Sequence, residues 1–362
     1  MKHPSLVFLL LFALSVFKSQ SQEILLSHPP QHYICYYTTE SIVTDGLLDE
    51  KSWENVPWSA PFVDIEGDEK PLPYYQTNVK MVWDQHYLYI GARLEEPNIW
   101  ATLTERESVI YYDNDFEVFI DPDGDTHNYY ELEMNAFGTV WDLMLTKPYS
   151  VMGVPINSWD IAGLKSGIHL NGTINNPADT DTCWTLEMAI PWEVLRECNQ
   201  SKSKPGPQDK WRINFSRVQW KLDKADGKYK KANDPANDKP YPEHNWVWSP
   251  QWAINMHKPE YWGYLQFSEI EAGKGVEQFV PDNDFKTQVI LRELFNAQQQ
   301  FFKKNKSYSN SIENLEVNLG LIHGFDIKTE AINNRFKISA KEANAQHWWS
   351  ITEDSRIWCE DK

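Results

Sequence analysis

Between residues 33 and 268 the chain repeats one pattern: short runs in which every second residue is apolar, separated by turn formers. Val79, Met81 and Trp83 recur at that spacing. After a turn near Asp84-Gln85, Leu88, Ile90, Ala92 and Leu94 do the same. A period of two places such residues on one side of an extended chain, so each run reads as a strand with one buried face. Phe116, Val118 and Ile120 interleave with Asp115, Glu117 and Phe119 and end in Pro122-Asp123-Gly124-Asp125. Tyr130, Leu132 and Met134 interleave with Glu131, Glu133 and Asn135. Trp184, Leu186, Met188 and Ile190 continue the pattern, as do Trp211, Ile213 and Phe215. Only two short helical pieces interrupt it, at residues 48–56 and 191–198. Many short strands with turn signals between them predict an all-β fold, an antiparallel immunoglobulin-like β-sandwich over residues 36–270. Two polar segments, 199–210 and 221–244, read as long loops, which in compact domains are usually functional.

Past residue 273 the texture changes. Phe285, Val289, Leu294, Phe295, Phe301 and Phe302 recur near helical spacing over residues 282–305. Asp282 and Asp284 stand at the start of that run and Lys303-Lys304 at its end, as the helix dipole favours. Short strands are expected near 335–339 and 347–351. Residues 280–362 therefore read as a small α+β appendage, a helix plus short strands, suited to docking a protein partner.

The N-terminus reads as an export signal over residues 1–21. Lys2 and His3 precede an apolar run at 6–17, too short to span a bilayer, and cleavage after Ser21 is expected. Such a chain would be periplasmic or extracellular. Cys35, Cys183, Cys198 and Cys359 suit that compartment, where disulfides persist. They allow three pairings, with Cys183 and Cys198 closest in sequence and free buried thiols as the alternative.

Charge narrows the partners. Against 34 Lys+Arg stand 52 Asp+Glu, a net charge of −18. That excludes binding to a phosphate backbone or an anionic membrane surface, both of which need basic clusters. No P-loop, dinucleotide, zincin or hydrolase-elbow motif is present. Asp121, Asp123 and Asp125 are spaced like the start of a calcium loop. Thr126 and Leu132, at the sixth and twelfth positions, exclude an EF-hand, but the three carboxylates suit Ca²⁺ as a structural ion.

Asp115 and Glu117 share one strand face, as do Glu131, Glu133 and Asn135 on the next. Four carboxylates so close repel unless something cationic or hydrogen-donating sits among them. Arg106, a bound ion and sugar hydroxyls are the candidates. Aromatic rings give the other half of a sugar site. Fourteen of the 17 Trp lie between Trp53 and Trp262, and Trp100, Trp159, Trp246, Trp248 and Trp252 fall outside the alternating runs. Sugar rings stack their C–H faces on such planes while directed polar groups hold the hydroxyls.

Five stretches resemble the carbohydrate-binding module family 9-like domains. They are Asp45-Gly46-x-Leu48-Asp49-Glu50-x-x-Trp53; Val79 through Asp84; Tyr87 through Ala92; Asn114 through Asp121; and Trp248-Ser249-Pro250 with His257 through Gly263. The resemblance implies a β-sandwich, a structural Ca²⁺, and binding of oligo- or polysaccharide ends without catalysis, as an accessory to polysaccharide degradation. Two Trp sandwich the sugar in sugar-binding members. Tyr111 and Tyr112 stand where the first would be, and Met256, with Trp252 upstream, where the second would be. Glu117 and Asn135 match the family's polar contacts, while Glu133 replaces its Arg. The expected sugar-binding set is therefore Tyr111, Tyr112, Glu117, Glu133, Asn135, Trp252 and Arg106. Two other readings compete: a glycoside hydrolase using Glu117 with Glu131 or Glu133, and a haem-binding DOMON-like sandwich using Met256 and His257.

Overall fold

The structure, a computed structural model, describes residues 25–199 and 204–360. The expected export signal lies outside them. The chain divides into two units. One comprises residues 31–149 and 153–280. The other comprises 281 onward, with 150–152 and the residues before 31.

The larger unit is the sandwich. Its strands are β1 (His32–Tyr37), β2 (Val63–Asp64), β3 (Thr77–Trp83), β4 (Tyr87–Glu95), β5 (Asp115–Asp121) and β6 (Tyr129–Asn135). Then come β7 (Val140–Leu145), β8 (Pro155–Ile156), β9 (Lys165–Asn171), β10 (Cys183–Pro191) and β11 (Lys210–Gln219). The last are β12 (Leu222–Ala225), β13 (Lys228–Lys231), β14 (Asn233–Asp234), β15 (Lys239–Pro240), β16 (His244–Val247) and β17 (Gly263–Glu271). Hydrogen bonds run in the order β8-β7-β6-β5-β11-β17-β1-β3-β4-β10-β9, with β16 and β2 attached beside β11. The expected sandwich is antiparallel apart from one strand. β1 runs parallel to both β17 and β3, and it joins the two halves of the path. No hairpin links β1 to either neighbour, so local turn chemistry does not set its direction.

The alternating residues meet in one core. Val79, Met81, Leu88, Ile90, Leu186 and Met188 from one half pack with Phe116, Val118, Leu132, Ile213 and Phe215 from the other. Burying each such side chain contributes about 1.5–3 kcal/mol. Trp83, Trp192 and Phe267 stack edge-to-face with centroids 5.7–6.1 Å apart, and Trp211 joins them. Trp100, Trp246 and Trp248, singled out as lying off the alternating runs, are buried too. Most of the ring surplus is therefore packing.

The expected helices contract to single turns, Lys51–Glu54 and Trp192–Leu195, the latter followed by a 3₁₀ turn at Arg196–Cys198. The segment at 221–244 is not one loop but two small ladders, β12–β13 and β14–β15. Asp226-Gly227, both at positive φ, turns the first. All four cysteines are buried free thiols.

In the smaller unit the helix Phe285–Asn305 buries Ile290, Leu291 and Leu294 against Phe336, Ile338, Ala340 and Ile351. Those residues belong to a four-stranded antiparallel sheet: β18 (Phe325–Ile332), β19 (Arg335–Glu342), β20 (Trp349–Thr352) and β21 (Ile357–Cys359). Among the described residues no helix is long and apolar enough to cross a membrane.

Candidate functional site

The residues of β5 and β6 that do not face the core form an acidic floor. Asp115, Glu117 and Phe119 lie opposite Asn135, Glu133 and Glu131. β7 places Trp141 opposite Glu133 and Leu143 opposite Glu131, and β11 places Ser216 opposite Glu117. Alternation makes this layout unavoidable, because the partners of Phe116, Val118 and Leu132 must point the other way. Asp115, Glu117, Glu131 and Glu133 are at most 6 % exposed. Oxygens of Asp115, Glu117 and Glu133 lie within 4.8 Å of one another.

Burial disfavours their charged forms. It pushes Glu117 up to about 7. It drives Asp115, Glu131 and Glu133 well above the usual carboxylate range, with the charge of Glu117 adding to the shift in each. One anchor holds each end of the cluster. Val218 donates its backbone N–H to Asp115 Oδ1 at 3.0 Å, and Tyr111 donates its own to Glu133 Oε2 at 3.0 Å.

Aromatic rings border this floor. The 3₁₀ turn Ile110–Tyr112 sets Tyr111 beside Trp141, centroids 6.4 Å apart, and beside Tyr112 at 4.9 Å. Trp220 Nε1 donates to the Tyr111 carbonyl at 2.9 Å and fixes the turn. Burial, followed by the charges of Glu131 and Glu133, raises the Tyr149 hydroxyl to about 12. His257 completes the border, its centroid 4.6 Å from Tyr149 and its Nδ1 3.1 Å from the Tyr129 hydroxyl. Burial lowers its pKa to about 4, leaving it neutral at pH 7. Half-exposed rings around buried carboxylates can stack an apolar face while accepting hydrogen bonds from hydroxyls.

The expected residues do not all reach this floor. Glu117, Glu133 and Tyr111 do, and Tyr112 lies beside Tyr111, 54 % exposed. Asn135 is on the floor but fully engaged. Its Nδ2 donates to the Leu103 carbonyl at 2.8 Å and Asp113 Oδ2 at 3.0 Å, and its Oδ1 accepts from Phe137 and Thr139. That uses all four of its hydrogen bonds. Arg106 does not neutralise the floor. It pairs with Asp142, with Asp160 at 2.8 Å and with Glu107 at 3.2 Å. Trp252 packs against Gly67, where an added Cβ would meet the indole at 2.5 Å. Met256 packs with Phe119, Leu143 and Trp262. Trp141 and Tyr149 carried no site signal in the sequence, and His257 was marked there only as a haem-ligand candidate with Met256. Trp141 becomes legible only once β7 is registered on β6.

The Asp121 turn is a second acidic cluster. Asp121 is wholly buried and accepts from Gly124 and Thr126, both at 2.9 Å, while Asp125 Oδ1 accepts from the His127 backbone at 2.8 Å. Oxygens of Asp121, Asp123 and Asp125 also lie within 4.8 Å of one another. Burial, then the charges of Asp123 and Asp125, pushes Asp121 well above its ordinary value. The donor set is all hard oxygen, so these residues fit a calcium-class ion.

The family model of the carbohydrate family 9 binding domain-like proteins matches residues 43–266. The chain belongs to this family. An exoglucanase XynX of Acetivibrio thermocellus is 27% identical over 178 residues. The match takes in 49% of this chain but only 14% of that enzyme. An endo-1,4-beta-xylanase A of Thermoanaerobacterium saccharolyticum is 26% identical over 178 residues, 49% of this chain and 13% of its own length. The chain thus spans about one seventh of these enzymes. A carbohydrate-binding module family 9 from Caldicellulosiruptor kristjanssonii, solved with cellotriose, is similar at a TM-score of 0.41 and 15% identity. The match covers 69% of this chain and 100% of that one.

Proposed function

We propose that this family 9 domain binds a sugar unit of an oligo- or polysaccharide on the β5–β6–β7 face, as an exported accessory to polysaccharide degradation. The observation that carries the reading is that Tyr111 and Trp141 stand beside Glu133 on the face that also bears Glu117 and Glu131. In this reading the rings take the C–H face of the sugar and the carboxyl oxygens accept from its hydroxyls. Tyr112 extends the platform. The Asp121, Asp123 and Asp125 turn would hold Ca²⁺, which would steady the loop between β5 and β6 by binding three repelling carboxylates.

Calorimetry with cello- and xylo-oligosaccharides tests it. Truncating one stacking ring removes about 1.4 kcal/mol, so Tyr111→Ala and Trp141→Ala should each weaken binding about tenfold. Unchanged affinity in the Tyr111→Ala/Trp141→Ala double variant would place any sugar elsewhere. Membership in the family and the relatives' activities support saccharide binding. The accessory role rests on the same footing and is tested by co-fractionation of the protein with insoluble glucan or xylan.

A further inference from the structure

We infer that Asp115, Glu117 and Glu133 hold one divalent cation of the calcium class, at a site distinct from the Asp121 turn. The site does not depend on sugar binding.

Geometry comes first. Calcium–oxygen bonds of about 2.3–2.6 Å allow two ligands of one ion to be at most about 5 Å apart. The three carboxylates offer oxygens within 4.8 Å of one another, so one ion can touch all three. The second observation is independent of the clustering. Asp115 is wholly buried; its Oδ1 accepts from Val218, and its Oδ2 is buried without any hydrogen-bond partner. A buried carboxylate oxygen left unpaired is costly and asks for a ligand.

Charge balance points the same way. Among the described residues no Lys or Arg forms an ion pair with Asp115, Glu117, Glu131 or Glu133. Arg106, the nearest candidate by sequence, is committed to Asp142, Asp160 and Glu107. The anchors on Asp115 and Glu133 each engage one oxygen and so orient the second. Calcium takes six to eight oxygens, so three carboxylates leave positions that water or a ligand's hydroxyl pair can fill. Protons shared among the carboxyls are the competing way to relieve the repulsion, and the two differ in calcium uptake.

The test is calorimetric titration of chelator-stripped full-length protein with CaCl₂ at pH 7.5. Three proteins are compared: wild type, Asp115→Asn/Glu133→Gln and Asp123→Asn/Asp125→Asn. The expected result is that one equivalent of Ca²⁺ is lost in the first variant and retained in the second. The single Glu133→Gln change should weaken that equivalent at least about tenfold, because affinity follows the ligand charge count. Stripped Asp115→Asn/Glu133→Gln should melt no lower than stripped wild type, since repulsion is removed, yet show no Ca²⁺-induced rise from this site. Wild-type protein that takes up no Ca²⁺ would overturn the inference. So would a first variant that binds as many equivalents as wild type with affinity unchanged.

Discussion

Arg217 and Glu96 form an ion pair at 3.1 Å, each only 1% exposed. The guanidinium also donates to Gln219 Oε1 at 2.7 and 3.0 Å, to Thr77 Oγ1 at 3.0 Å and to the Glu95 carbonyl at 2.8 Å. It therefore ties β11 to the β3–β4 half of the sandwich. Burial nevertheless lowers the pKa of Arg217 and raises that of Glu96, so desolvation outweighs their attraction at both ends. A pair of that kind adds little net stability, but losing one member strands the other. Glu96→Ala leaves a buried guanidinium without its counter-charge, and it orphans the Asn98 backbone N–H and Asn114 Nδ2, which donate to Glu96 at 3.1 and 3.2 Å. The expected cost is about 3–5 kcal/mol, roughly 10 °C in the melting temperature of a unit this size. Glu96→Ala/Arg217→Met should recover at least half of it. Urea unfolding at pH 7.5, followed by Trp fluorescence and far-ultraviolet dichroism together, measures both. A Glu96→Ala cost below about 1 kcal/mol, or a double variant at the sum of the singles, would refute the reasoning.

Two further predictions follow from other buried carboxylates. Burial raises Glu187 to about 7 although it accepts from Trp53 Nε1 and Gly46, both at 2.7 Å. The folded state then binds the proton more tightly than the unfolded one. Its stabilising contribution is complete below about pH 4.5 and lost as pH rises through 7. Glu187→Gln should thus gain on wild type by about 3 kcal/mol between those values, and a pH-independent difference in urea unfolding would contradict it. At the Asp121 turn, chelation should lower the wild-type melting temperature and leave Asp123→Asn/Asp125→Asn less affected. Equal responses of the two proteins by calorimetry would remove the turn from the calcium account.

Much of the sandwich was legible because alternation is local: Phe116, Val118, Leu132 and Ile213 announce their burial from neighbours two residues away. The parallel setting of β1 was not, since residues some 230 positions apart decide it. β18 is hard to read because its inner face, Phe325, Ile327, Thr329 and Ala331, is only half-buried and Thr329 breaks its apolar run. The β12–β15 hairpins hide in largely polar sequence, in which Leu222 and Tyr229 join a small apolar cluster with Trp100, Val218 and Trp220. Within the site, the acidic face followed from the same alternation that revealed the core. Its border did not. Trp141 reaches Tyr111 through β6–β7 register, and Tyr149 and His257 arrive from loops. Arg106 and Asn135 were plausible by type, but each is consumed by partners, Asp142 and Leu103 among them, that only the folded chain supplies.

The central claim is that sugar lies on the β5–β6–β7 face, and the indole N–H resonance of Trp141, assigned with Trp141→Phe, tests it most directly. During titration with cellotriose that resonance should shift saturably, together with the ring protons of Tyr111, and Glu117→Gln should weaken the response. Shifts confined to Trp252, with Trp141 and Tyr111 unmoved at saturating sugar, would contradict the account.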